Sequence, residues 1–192
     1  MKWIGLTGGM GCGKSTALKV FKNLGFGVAS ADEVVHSLYQ KESVIKEVCK
    51  SLGIEVEDFS LSKISEIVFA DDKKLEALEG VIHPLVRKEV KEIRKSFEEE
   101  GFSLSFYEVP LLFEKQMEDG FDYTVCIGAS KPVQLRRIKE RNPSWSDQEV
   151  KARLKAQLSL EEKKVKADFY IDNSRSLEDL KKSCEGLAKK LN

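Results

Sequence analysis

Apolar positions fall into short continuous runs divided by longer stretches of helical spacing. Residues 2–7 form an apolar run that stops at glycines, the signature of a buried first strand. Over 14–24, Leu18, Phe21 and Leu24 recur at helical spacing, and Gly25 suits the left-handed position after a helix end. Residues 27–30 read as a second short strand, and 33–69 as helical but broken into pieces. The helical pattern resumes over 71–100, interrupted by Gly80 and Pro84. Proline belongs at the first position of a helix rather than inside one, so a new helix is expected to open at Pro84. Residues 104–109 alternate into a third strand ending at Pro110, and 121–127 form a fourth apolar strand. A helix over 131–141 stops before Pro143. Ser146-Asp147-Gln148-Glu149 is a capping box that opens the next helix. Residues 168–172 are a fifth strand, and Ser176-Leu177-Glu178-Asp179 caps a final helix ending near Leu191.

Strands separated by helices predict an α/β fold, with a parallel sheet flanked by helices, because parallel strands need long crossovers. The segment between strands two and three far exceeds one crossover helix, which predicts an inserted helical lobe. The chain reads as one domain. Its core is 1–32, 101–136 and 167–192, its helical lobe about 33–100, and its lid about 137–166.

Composition narrows the function. The chain has 192 residues with 32 Lys+Arg against 32 Asp+Glu. A neutral chain lacks the basic surplus that displaces counterions from nucleic acid. No apolar run approaches a membrane span, and the first residues lack the pattern of a signal peptide. Cys12, Cys49, Cys126 and Cys184 are scattered without a CxxC, and there are two histidines. Free thiols in a cytoplasmic enzyme are expected, acting on small molecules as a monomer or small homo-oligomer.

The chemistry begins at the first strand. Gly8-Gly9-Met10-Gly11-Cys12-Gly13-Lys14-Ser15-Thr16 contains Gly-x4-Gly-Lys-Ser between a strand and a helix. Glycines let backbone amides converge on one point, and the helix N-terminus adds its positive end, so the loop suits a triphosphate. Lys14 would reach the β- and γ-phosphates, and the Ser15 hydroxyl would ligate Mg2+. The guanine-reading Asn-Lys-x-Asp of GTPases is absent. The third strand ends with one carboxylate, Glu108, rather than the acidic pair of a motor ATPase. Small size and an inserted lobe point to a small-molecule kinase. A kinase of a different metabolite and a slow nucleotide-binding switch are the competing readings.

Several side chains have two readings. Asp32, just after the second strand, is either a helix N-cap or the base that takes a proton from an attacking hydroxyl. Glu108 is either a Mg2+ ligand through water or a solvated strand end. His83, before Pro84, is expected in extended backbone, and His36 on the surface. Residues 131–166 hold 11 basic against five acidic residues, a net of +6. This suits a lid closing on polyphosphate, with Arg141 its leading arginine. Arg153 and Gln157, four apart, would share one inward helix face, while the lysines of this stretch read as wet surface.

Gly5 to Thr16, Ala31-Asp32, His83-Pro84, Pro110-Leu111-Leu112-Phe113-Glu114, Arg153 to Gln157 and Ile171-Asp172-Asn173 together resemble the dephospho-CoA kinase family, nearly end to end. The resemblance implies a P-loop kinase core with strand order 2-3-1-4-5. It implies ATP-dependent phosphorylation of the ribose 3′-hydroxyl of dephospho-CoA, with Mg2+. By resemblance, Asp32, Lys14 and Arg141 are catalytic. Gly9, Gly11, Cys12, Gly13, Lys14, Ser15, Thr16, Arg141 and Asn173 hold the nucleotide. The acceptor falls to Asp32, His83, Pro110, Leu111, Leu112, Glu114, Arg153 and Gln157. Two positions depart from the family. It usually reads Asp-Ala-Asp where this chain has Ser30-Ala31-Asp32. Cys12 replaces a commoner Ser, in a loop-and-helix setting that can lower a thiol's pKa and make it reactive.

Overall fold

The computed structural model describes residues 1–192. The elements run β1 (Lys2–Gly8), α1 (Lys14–Asn23), β2 (Gly27–Ser30), α2 (Ala31–Leu38), α3 (Glu42–Leu52), α4 (Leu61–Ala70), α5 (Asp72–Glu99), β3 (Leu104–Glu108), β4 (Tyr123–Gly128), α6 (Lys131–Arg141), α7 (Asp147–Lys155), α8 (Leu160–Lys166), β5 (Phe169–Asp172) and α9 (Leu177–Leu191). They divide into two compact units, Met1–Ser30 with Ser96–Asn192, and Ala31–Lys95. No helix is long and apolar enough to cross a membrane.

The first unit is built on five parallel strands in the order β2-β3-β1-β4-β5, the order expected. Ile4, Leu6, Phe106, Val125 and Ile127 carry one side of the core, with Phe21 of α1 and Leu180, Cys184 and Leu187 of α9. Phe21 stacks on Phe106 at 3.8 Å between ring centres. Burying each such ring contributes roughly 1.5–3 kcal/mol. The next residue along each strand faces the other way: Trp3 stacks on Tyr107 at 5.6 Å and on Phe121 at 6.3 Å. β4 begins at Tyr123, two residues later than its apolar run suggests. Trp3 N–H donates to Asp122 Oδ2 at 2.7 Å, which leaves Phe121 as a packing ring ahead of the ladder.

Helix ends follow local chemistry. Gly25 (φ +87°) closes α1, with Gly25 N–H bonded to Lys22 O and Phe26 N–H to Phe21 O, a Schellman pair. Ser146 with Glu149, Ser159 with Glu162 and Ser176 with Asp179 form full capping boxes on α7, α8 and α9.

The second unit is helical. Its buried side chains are Val34, Leu38, Val44, Val48, Cys49, Leu52, Ile64 and Ile82. The Asp71 carboxylate accepts from Lys73 N–H at 2.9 Å and starts α5. That helix then runs 28 residues straight through Pro84, so no new helix opens there and His83 is mid-helix rather than extended. The residue four before Pro84 is Gly80, where an added Cβ would meet nothing within 4 Å. An interior proline removes one backbone hydrogen bond and crowds the carbonyl four residues back, yet the helix continues past it unbroken.

Candidate active site

Unusual backbone shapes the loop between β1 and α1. Gly8, Gly11 and Gly13 have φ of +150°, +75° and +84°, values L side chains avoid. A Cβ on Gly11 would lie 2.7 Å from the Gln134 carbonyl, and one on Gly13 would run into the Asn173 side-chain amide. Lys14 Nζ donates to the Gly8 and Gly9 carbonyls at 3.2 and 3.3 Å, so the ammonium rests within the loop. Ser15 and Thr16 lie exposed on the first turn of α1.

Cys12 does not face out of the loop. It is fully buried in the β1–α1 core, and burial pushes its thiol pKa up despite the nearby Lys14 charge. The loop-and-helix setting therefore does not lower this thiol's pKa: desolvation outweighs the cation. Its carbonyl accepts from Asn173 Nδ2 at 2.8 Å. Asn173 is 5% exposed, its N–H donates to Gly128 O at 2.7 Å, and its carbonyl accepts from Arg137 Nη1 at 3.0 Å. The side-chain amide of Asn173 thus braces the loop.

Asp32 is the second residue of α2, exposed, and its carboxylate has no hydrogen bond or ion pair. The N-cap alternative is set aside, because a cap stands before the helix and accepts from its first turn. His83 is 3.8 Å from Glu79 and exposed, and His36 is exposed as expected. Glu108 is 5% exposed at the end of β3, paired in register with Leu6 and Ser30, so it is not a solvated strand end.

The family model for dephospho-CoA kinase (CoaE) matches residues 2–179. The chain belongs to the dephospho-CoA kinase family. A dephospho-CoA kinase from Aquifex aeolicus is 36% identical over 196 residues, spanning 100% of this chain and 98% of the relative. The crystal structure of TT1252 from Thermus thermophilus aligns with a TM-score of 0.87 at 30% identity, over 100% of this chain and 98% of that one. A dephospho-CoA kinase from Campylobacter jejuni aligns at 0.67 and 27% identity, over 100% and 97%. The family's reaction is ATP-dependent phosphorylation of dephospho-CoA in coenzyme A biosynthesis, and this chain is a kinase of that kind. The slow-switch and other-metabolite readings are set aside.

In this dephospho-CoA kinase the block after β3 splits by side. Leu112 and Phe113 are buried, and Leu112 packs where a side chain on Gly5 would sit; Leu111 and Glu114 are half-buried. Glu114 Oε1 pairs with Lys163 Nζ at 2.9 Å and accepts from Leu158 N–H at 2.9 Å. Lys163 also donates to the Pro110 carbonyl at 2.7 Å and is fully buried, so not every lysine of this stretch is wet surface. Arg153 and Gln157 do not share a face. α7 ends at Lys155; Arg153 stacks over Trp145 at 4.1 Å in the open, while Gln157 lies past the helix end with Oε1 buried. Arg141 ends α6, exposed and unpaired.

Residue-type reasoning put Lys163 on the wet surface and gave Arg137 and Gln134 no role of their own. Gln134 Nε2 donates to the Ala129 carbonyl at 2.6 Å, and its own carbonyl abuts Gly11. A cavity of about 800 Å3 opens beside Gly9, between the start of α6, the α7–α8 turn and the end of β5. Its lining includes Gln134, Leu154, Gln157, Leu158, Lys164 and Asp172.

Proposed function

We propose that this dephospho-CoA kinase transfers the γ-phosphoryl of ATP to the ribose 3′-hydroxyl, with Asp32 as general base. What carries the reading is the loop of three positive-φ glycines with Lys14 resting on its carbonyls. It is a built anion cradle, and membership of the family says which triphosphate and acceptor meet there. The amides of Gly9, Gly11, Cys12, Gly13, Ser15 and Thr16 hold phosphate, with the dipole of α1 behind them. Lys14 leaves its two carbonyls for the β- and γ-oxygens.

An unpaired, exposed carboxylate such as Asp32 suits proton acceptance, since no internal partner competes for it. Arg141, equally unpaired, supplies a planar donor fork to the transferring group when the lid over 137–166 folds in. Closure excludes water, which would otherwise accept the phosphoryl. The exposed Ser15 hydroxyl on the first helical turn fits as one oxygen ligand of Mg2+. Held there, the ion would neutralise charge on the transferring phosphoryl group.

His83, Pro110, Leu111, Glu114, Arg153 and Gln157 belong to the acceptor side. Leu112, fully buried, shapes that side from behind, and Asn173 serves the nucleotide by holding the loop. We read it as a cytosolic enzyme, a monomer or small homo-oligomer; its four free, buried cysteines support a reducing compartment. The test is ADP release in a coupled assay. Dephospho-CoA should stimulate turnover strongly, nucleosides and water should not, and equal rates with and without dephospho-CoA would overturn the reading.

A further inference from the structure

A lysine with no exposed surface in the middle of a basic, otherwise wetted segment calls for an explanation. Lys163 sits on α8, held in place by the Ser159–Glu162 capping box just before it. Its ammonium reaches two separate parts of the segment after β3, the Pro110 carbonyl and Glu114 Oε1. Thr7 Oγ1 donates to the same Pro110 carbonyl at 3.3 Å, so the end of β1 is tied to this point as well. Leu158 N–H fixes Glu114 Oε1 from the α7–α8 turn. A buried ion pair is a poor source of stability, because desolvating both charges offsets most of their attraction. What this pair does is geometric. With Oε1 doubly held, Glu114 Oε2 is left buried with no donor, and Gln157, the residue before Leu158, carries a second buried oxygen with no donor. Buried acceptors are nearly always satisfied, and these two lack only hydrogen-bond donors.

We propose that Lys163 is a positioning residue of the kinase reaction: it locks Glu114 so that Glu114 Oε2 and Gln157 Oε1 form a two-acceptor clamp for hydroxyl or amide N–H groups of the acceptor. The inference rests on the proposed assignment of 110–114 to the acceptor side. It adds a residue that makes no contact with either substrate and sets the orientation of one that does.

The test is steady-state kinetics on Lys163→Met, which keeps the stem and removes the charge. The expected result is a KM for dephospho-CoA raised at least tenfold, with the KM for ATP within twofold and kcat lowered less than threefold. A purely structural lysine gives a different pattern: Vmax falls with the folded fraction while both KM values stay put, and that would overturn the proposal. Should Lys163→Met fail to fold, Glu114→Gln carries the same test, because it keeps shape and weakens the lock from the other side. An unchanged KM for dephospho-CoA in that variant would equally overturn it. The wild-type control separates the two claims. Wild type without dephospho-CoA-stimulated turnover sinks the proposed function, whereas an active wild type with unshifted variants sinks only the clamp.

Discussion

Replacing Asn173 with alanine separates two jobs an amide at this place can do. The side chain donates to the Cys12 carbonyl at 2.8 Å, while the backbone bonds of Asn173 to Gly128 and Arg137 do not need it. Truncation therefore removes one hydrogen bond and leaves a carbonyl of the phosphate loop without its donor, a penalty of about 1–3 kcal/mol. At roughly 2–4 °C per kcal/mol for a chain of this size, melting should fall by about 2–12 °C. If about 1.4 kcal/mol of the penalty goes into reshaping the loop, triphosphate affinity falls about tenfold. Titration calorimetry with ATP and with inorganic tripolyphosphate, which has no base, reads the difference. A brace predicts the same factor for both. A loss confined to ATP would refute the brace and point to a contact with the base. Gly13→Ala supplies the converse test, because its Cβ would occupy the place of the amide nitrogen at a φ of +84°. Combined with Asn173→Ala, it should weaken binding by less than the two effects added.

Other outcomes follow from the same geometry. Asp32→Asn should leave ATP affinity near wild type and lower kcat by about 10²–10⁴; an unchanged kcat in single-turnover measurements would remove Asp32 from the base role. The thiols give a pH dependence. Burial pushes Cys126 and Cys184 up to about 12. Both pKa values are raised on folding, so their contribution to stability is full below the unfolded thiol's pKa and is lost as pH rises from about 9 toward 12. Urea midpoints should fall between pH 8 and pH 10.5, and Cys184→Ala should lessen that fall. A midpoint equally steep in pH without Cys184 would count against the assignment.

Much of this was legible in the chain, and the illegible part has a common cause. The strands, the phosphate loop and the Ser146 and Ser176 caps are local signals, written within a few neighbouring residues. The helix through Pro84 was hidden because the rule against interior proline is itself local, while the packing that keeps a 28-residue helix whole is not. Lys163 read as surface because burial depends on what faces a residue, and its partners are 49 and 53 positions back at Glu114 and Pro110. Asn173 and Cys12, 161 positions apart, could not be seen to touch. Cys12 looked reactive from its helix-end setting because charge is visible in a sequence and desolvation is not. Arg153 and Gln157 parted company because a spacing of four means one face only while the helix lasts, and α7 ends at Lys155.

If Lys14 grips the triphosphate as proposed, its resting place makes nucleotide capture an exchange of partners. Its ammonium already rests on the carbonyls of Gly8 and Gly9, so an incoming triphosphate would compete with two oxygens of the protein itself. Affinity would then be the gap between two arrangements of one lysine, and a narrow gap would let ADP depart.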